Sequence, residues 1–152
     1  MRRLSPVLIV VALAFAASGC GADTKAANDY VDAVNKAQTD FATKFDELSG
    51  KITSTSTAAQ DRETLDGFKQ AIDKVVTDFR AVKAPDKVKV LHGQLIAELA
   101  AYGREIDKAK LAFADEDPKA IVKAQADLVS AVTKVQAQIN ATISAINTKL
   151  RE

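Results

Sequence analysis

From Val31 to Leu150, apolar side chains recur at alternating steps of three and four residues. Val31, Val34, Phe41, Phe45, Leu48 and Ile52 make one run, with Gln38 at the missing step. Leu65, Phe68, Ile72, Val75, Phe79 and Val82 make a second run without a gap. A third passes from Val88 through Leu91, Leu95, Leu99, Tyr102, Ile106 and Ala109 to Phe113. A fourth passes from Ile121 through Ala124, Leu128, Val132, Val135, Ile139, Thr142 and Ile146 to Leu150. This spacing keeps one face of an α-helix apolar, whereas a half-buried strand needs steps of two. The chain is therefore expected to be all-α, with four amphipathic helices.

Terminator chemistry sets the boundaries. Ser49–Thr57 holds a glycine and a cluster of serine and threonine, so it separates the first two helices. Thr57 and Gln60 have the spacing of a capping box, in which each satisfies a free backbone donor of the other. Pro85 drives the residue before it out of the helical region, and Pro85-Asp86 can open a third helix. In "DEDP", Asp117 can cap and Pro118 can take the first helical position. The expected helices span 26–50, 57–83, 86–114 and 118–150. Short connections force neighbours to run antiparallel, which predicts an up-down-up-down four-helix bundle after an N-terminal signal peptide. Two paired hairpins, from one chain or two, are the alternative arrangement.

The beginning of the chain follows different rules. Arg2 and Arg3 precede the uninterrupted apolar run Val7–Ala17, and small residues lead to Cys20, the only cysteine. A basic start, apolar middle and small-residue end have the composition of a secretory signal peptide. Eleven apolar residues are too few to cross a bilayer core, which takes about 20. Ala17-Ser18-Gly19-Cys20 resembles the lipobox of bacterial lipoproteins, although leucine is the commonest residue where Ala17 stands. The resemblance implies a diacylglycerol thioether on Cys20 and cleavage just before it. An exported chain with an incidental cysteine is the plainer reading. A lipid would also explain a lone thiol in an oxidising compartment, where an exposed free thiol is open to oxidation. The expected organisation is a signal peptide over 1–19, a lipidated tether over 20–27 and a helical bundle over 28–152.

Arg2 and Arg3 account for two of the 21 Lys+Arg, so the chain from Cys20 onward carries 19 against 20 Asp+Glu. A formal charge of −1 offers no footprint for nucleic acid, and no polybasic patch for anionic lipid is expected. Catalytic and cofactor chemistry find few candidates. His92 is the only histidine, and a heme, di-iron or zinc site draws on several such ligands. His92 therefore reads as a structural or surface residue. There is no G-x-S-x-G elbow and no P-loop. Asp46/Glu47 and Glu116/Asp117 read as solvated faces and caps, so no catalytic residue, cofactor or metal is assigned.

One segment departs from an ordinary solvated face. Between Leu128 and Thr148 the only charged residue is Lys134, while neutral polar residues are frequent. Interface cores lose charge in the same way. Gln136 and Asn140 are therefore candidate contact residues for a protein partner or self-association. The overall pattern resembles small alanine-rich helical lipoproteins of bacterial envelopes, especially actinobacterial ones. Those lipoproteins are of undefined function, so the resemblance carries no role with it; export with anchoring favours a non-catalytic interaction module on the outer face of the cell membrane, and Gly21 leaves outer-membrane sorting open. The alternative is an extracytoplasmic sensor or carrier holding a small apolar ligand between its helices.

Overall fold

A computed structural model describes residues 22–49, 51, 56–114 and 117–152. The expected signal peptide over 1–19, Cys20 and Ile52 lie outside the described residues. The protein is an all-α four-helix bundle: α1 Ala22–Ser49, α2 Ala58–Ala81, α3 Lys89–Ala114 and α4 Pro118–Arg151. A single 3-10 turn, Asp86–Val88, leads into α3.

Two helix starts follow the sequence signals. Thr57 caps α2, its side chain accepting from the Gln60 backbone N–H while the Gln60 side chain accepts from the Thr57 N–H. Asp117 caps α4 by accepting from the Lys119 backbone N–H at 3.0 Å, with Pro118 in the first helical position. Elsewhere the boundaries shift. Helix α1 begins four residues earlier than expected, so most of the expected tether over 20–27 is helical and Ala27 is already in the core. Helix α2 stops at Ala81 because Val82 adopts an extended conformation (φ −75°, ψ 126°), ahead of Pro85. Pro85 starts the 3-10 turn rather than α3 itself, its carbonyl accepting from the Val88 N–H at 3.0 Å.

Contacts between helices establish the antiparallel order. The Phe45 and Phe68 rings lie 4.9 Å apart near the α1–α2 connection, while Tyr30 at the other end of α1 meets the beginning of α3. Lys69 and Lys110 bridge α2 and α3 through Asp107 and Asp66. Thr142 donates to Glu98 Oε1 at 3.0 Å between α4 and α3. Among the described residues, close backbone approach joins consecutive helices.

The core runs along these seams, with Tyr30, Ile72, Phe79, Val88, Leu95 and Ile146 almost wholly enclosed. Each such side chain contributes about 1.5–3 kcal/mol of gross burial. In α1 the missing step of the stripe is filled by Ala37, whereas Gln38 is only part-buried. The apolar contribution of α4 is uneven. Ile121, Ala124, Leu128 and Val132 of the expected stripe are only part-buried, and full burial begins at Val135. The C-terminal half of α4 is gripped through Thr142, Ile143, Ile146 and Leu150. Its N-terminal half lies on the margin of the core.

Candidate contact surface on the fourth helix

That unequal burial gives α4 an apolar flank. Val122 is 65% exposed and Val129 is 42% exposed, while Gln136 and Asn140 are part-buried. These four residues follow at steps of seven, seven and four, which keeps them on one side of a helix. Gln136 and Asn140 thus sit one turn apart on the line begun by the two valines. Leu111, 71% exposed in the last turns of α3, adds apolar surface at the same end of the bundle. Exposed large apolar residues gathered at one end are more informative than scattered ones.

Among the polar groups of this segment, Ser130, Thr133, Gln138, Ser144 and Thr148 are exposed, Gln136, Asn140 and Asn147 are part-buried, and Thr142 is buried. Thr133 Oγ1 donates to the Val129 carbonyl at 2.8 Å, and Thr148 Oγ1 donates to the Ser144 carbonyl at 3.1 Å. Such back-bonding to the preceding turn occupies the hydroxyl proton. Thr142 is buried and spends its hydroxyl on Glu98. The segment therefore presents a surface of small apolar and neutral polar side chains in which Lys134 is the one charge. The sequence stripe did not include Val122 and Val129. Their seven-residue spacing beside it was the available signal.

Open depressions among the described residues flank the helices. A cleft of about 810 Å³ beside the α1–α2 connection is lined by Lys44, Leu48, Lys51, Glu63, Asp66 and Gly67, among others. A groove of about 450 Å³ between α3 and α4 has Ala109, Ala112, Ala120, Ala124 and Leu128 along it. Glu105–Lys108 and Lys123–Asp127 ion pairs stand on its sides. Both open to solvent.

His92 is inside the bundle, the structural of the two placements left open by the sequence. Its Nε2–H donates to the Phe79 carbonyl at 2.9 Å, because a carbonyl can only accept. Nδ1 is left as the acceptor and faces the Tyr30 hydroxyl at 3.2 Å. The Phe79 carbonyl also accepts from the Val82 N–H at 3.1 Å, so two donors close the end of α2. The Tyr30 ring stands edge-on to the imidazole at 5.5 Å, and the Phe79 ring stacks on it at 6.0 Å. Burial lowers the His92 pKa, partly opposed by the bond to Phe79. This cluster ties α1, α2 and α3 together. Among the described residues, no three His, Cys, Asp or Glu side chains are grouped to hold a metal ion. No helix among the described residues is long and apolar enough to cross a membrane.

No family model, curated protein or solved structure matches this chain.

Proposed function

We propose that the protein is a lipid-anchored interaction module of a bacterial cell envelope, held at Cys20 and engaging another envelope protein through the flank of α4. The observation that carries the contact reading is the line of exposed Val122 and Val129 continued by part-buried Gln136 and Asn140, the last three on a segment whose one charge is Lys134. The anchor reading is supported by the order of basic start, apolar run, small residues and Cys20. Two or more acyl chains hold a protein to a bilayer far more firmly than one. The beginning of α1 at Ala22 would then keep the bundle close to the surface.

Mass spectrometry of the N-terminal peptide from native membranes tests the anchor. The expected result is a peptide starting at a diacylglyceryl Cys20, and an unmodified peptide retaining residues 1–19 would refute it. Crosslinking in intact cells tests the contact surface. Val129→Lys/Gln136→Lys should abolish a specific crosslinked product of the parent chain while leaving the helical circular dichroism unchanged. An identical crosslinking profile in parent and variant would refute the α4 assignment. The carrier alternative has the α3–α4 groove in its favour, since about 450 Å³ lies in the range of ligand pockets. The groove's opening to solvent favours the contact reading, because ligand sites enclose most of their ligand.

A further inference from the structure

The formal charge of −1 over the chain from Cys20 onward conceals a local imbalance. The start of α1, the α2–α3 connection and the end of α4 share one pole of the bundle. Tyr30 reaches His92 there, and Lys87 Nζ donates to the Leu150 carbonyl at 3.3 Å. Between Arg80 and Lys89 the chain carries Arg80, Lys83, Lys87 and Lys89 against Asp86 alone; at the end of α4 Lys149 and Arg151 stand against Glu152, and at the start of α1 Lys25 stands against Asp23 and Asp29. Among the described residues Arg80, Lys83, Lys87, Lys89 and Arg151 stand in no ion pair, whereas lysines along the shafts, such as Lys36 and Lys74, are paired with Asp40 and Asp78. The opposite pole carries an acidic excess. Its α3–α4 connection reads Asp115-Glu116-Asp117 ahead of Lys119, and around the α1–α2 connection Asp46, Glu47, Asp61 and Glu63 stand against Lys44, Lys51 and Arg62.

Val90 belongs to the basic pole. It is 83% exposed, more than any other large apolar side chain among the described residues. It lies in the first turn of α3 beside Lys89, and helical side chains lean toward the N-terminus, here toward the pole. Helix α1 begins at the same pole, two residues after Cys20. Two residues reach only about 7 Å even when extended. Lipid on Cys20 would bring Arg80, Lys83, Lys87, Lys89, Val90 and Arg151 to the headgroups. Juxtamembrane cations are attracted to anionic leaflets, and an apolar side chain among them can enter the interface.

We propose that this pole seats on anionic phospholipid headgroups, with Val90 entering the interface among the lysines; the proposal rests on the anchoring of Cys20 proposed above. The seat orients the molecule. The acidic pole is repelled, α4 rises from the surface, and Val122 stands roughly 40 Å from Arg151 at about 1.5 Å per residue. The contact flank then faces away from the bilayer.

The test uses the full chain, made in a lipoprotein-modifying bacterium and reconstituted into vesicles of phosphatidylcholine alone or mixed with phosphatidylglycerol. Val90→Cys and Val122→Cys each receive a fluorophore, and lipid-borne quenchers report proximity to the bilayer. Quenching at position 90 should exceed that at 122 several-fold in the anionic vesicles. The excess should disappear in the Lys83→Glu/Lys89→Glu background and shrink without phosphatidylglycerol. Equal quenching at both positions, or an excess indifferent to phosphatidylglycerol, would overturn the seat. In that case flotation with the vesicles and an acylated N-terminal peptide leave the anchor standing. Protein that floats with neither vesicle and carries no acyl mass would overturn the anchor and the seat together.

Discussion

The Tyr30 hydroxyl donates to His92 Nδ1 across 3.2 Å, an arrangement that requires a neutral imidazole. A proton on Nδ1 would remove the acceptor. Burial also holds the His92 pKa below its ordinary 6.5, so the unfolded chain takes up a proton that the folded chain refuses. Stability should be level above about pH 6.5, decline as the pH falls toward the folded-state pKa, and level again below it. Because His92 is the only histidine, no other side chain ordinarily titrates in the upper part of that window. Urea midpoints between pH 7.5 and 5.5 should slope in the parent and be flat in His92→Phe. Equal slopes would contradict the assignment. Tyr30→Phe should cost about 1 kcal/mol at neutral pH, the usual worth of one such bond.

Alkaline titration gives a second reading of the interior. Tyr30 and Tyr102 are the only tyrosines, and burial pushes both pKa values up to about 12. The folded state favours the neutral phenols, so their contribution is intact below pH 10 and is lost as the pH rises from 10 to 12. Ultraviolet absorbance should show little phenolate near pH 10, with ionisation accompanying loss of helical dichroism at higher pH. A simple titration centred on 10 with the helices intact would contradict this burial.

Gly67 and Gly93 should respond differently to alanine. A Cβ on Gly93 would meet nothing within 4 Å, so Gly93→Ala should add about 1 kcal/mol by helix propensity and raise the melting temperature by a few degrees. A Cβ on Gly67 would lie 2.8 Å from Leu48 Cδ2, so the buried Leu48 side chain would have to move. Gly67→Ala should therefore gain less than Gly93→Ala or destabilise the bundle. Thermal melts of the two variants compare them directly.

Truncations along the bundle should map its unequal packing. Leu95→Ala and Ile146→Ala remove almost fully enclosed side chains and should cost roughly 2–5 kcal/mol each. Leu128→Ala removes a part-buried side chain and should cost clearly less, about 1 kcal/mol. Hydrogen exchange should be faster at amides between Ala124 and Lys134 than between Ile139 and Leu150. Equal protection along α4 would contradict the burial gradient.

Much of the fold was legible because its signals are local. The second stripe is buried from Leu65 to Phe79, with its last member Val82 part-buried, and the Thr57 and Asp117 caps form with the anticipated donors. The shifted helix ends depended on conformations at Val82 and Asp86–Val88 that residue spacing does not encode. The Tyr30–His92 bond was not legible because its partners are 62 positions apart. Periodicity placed Leu128 on the correct face of α4 without showing that this half of the helix meets less protein than the other. Burial depends on the neighbour as well as the face. Net charge similarly hid the cations gathered between Arg80 and Lys89, because it discards position.

The uneven grip on α4 has a mechanical consequence. A rod clamped near Leu150 and loosely cradled near Val122 behaves as a cantilever, so a load applied to its free half bends it about the clamp. A protein pulling on the two valines would peel the Pro118 end from the molecule before disturbing the seam at Ile146, leaving the other three helices and their imidazole rivet assembled.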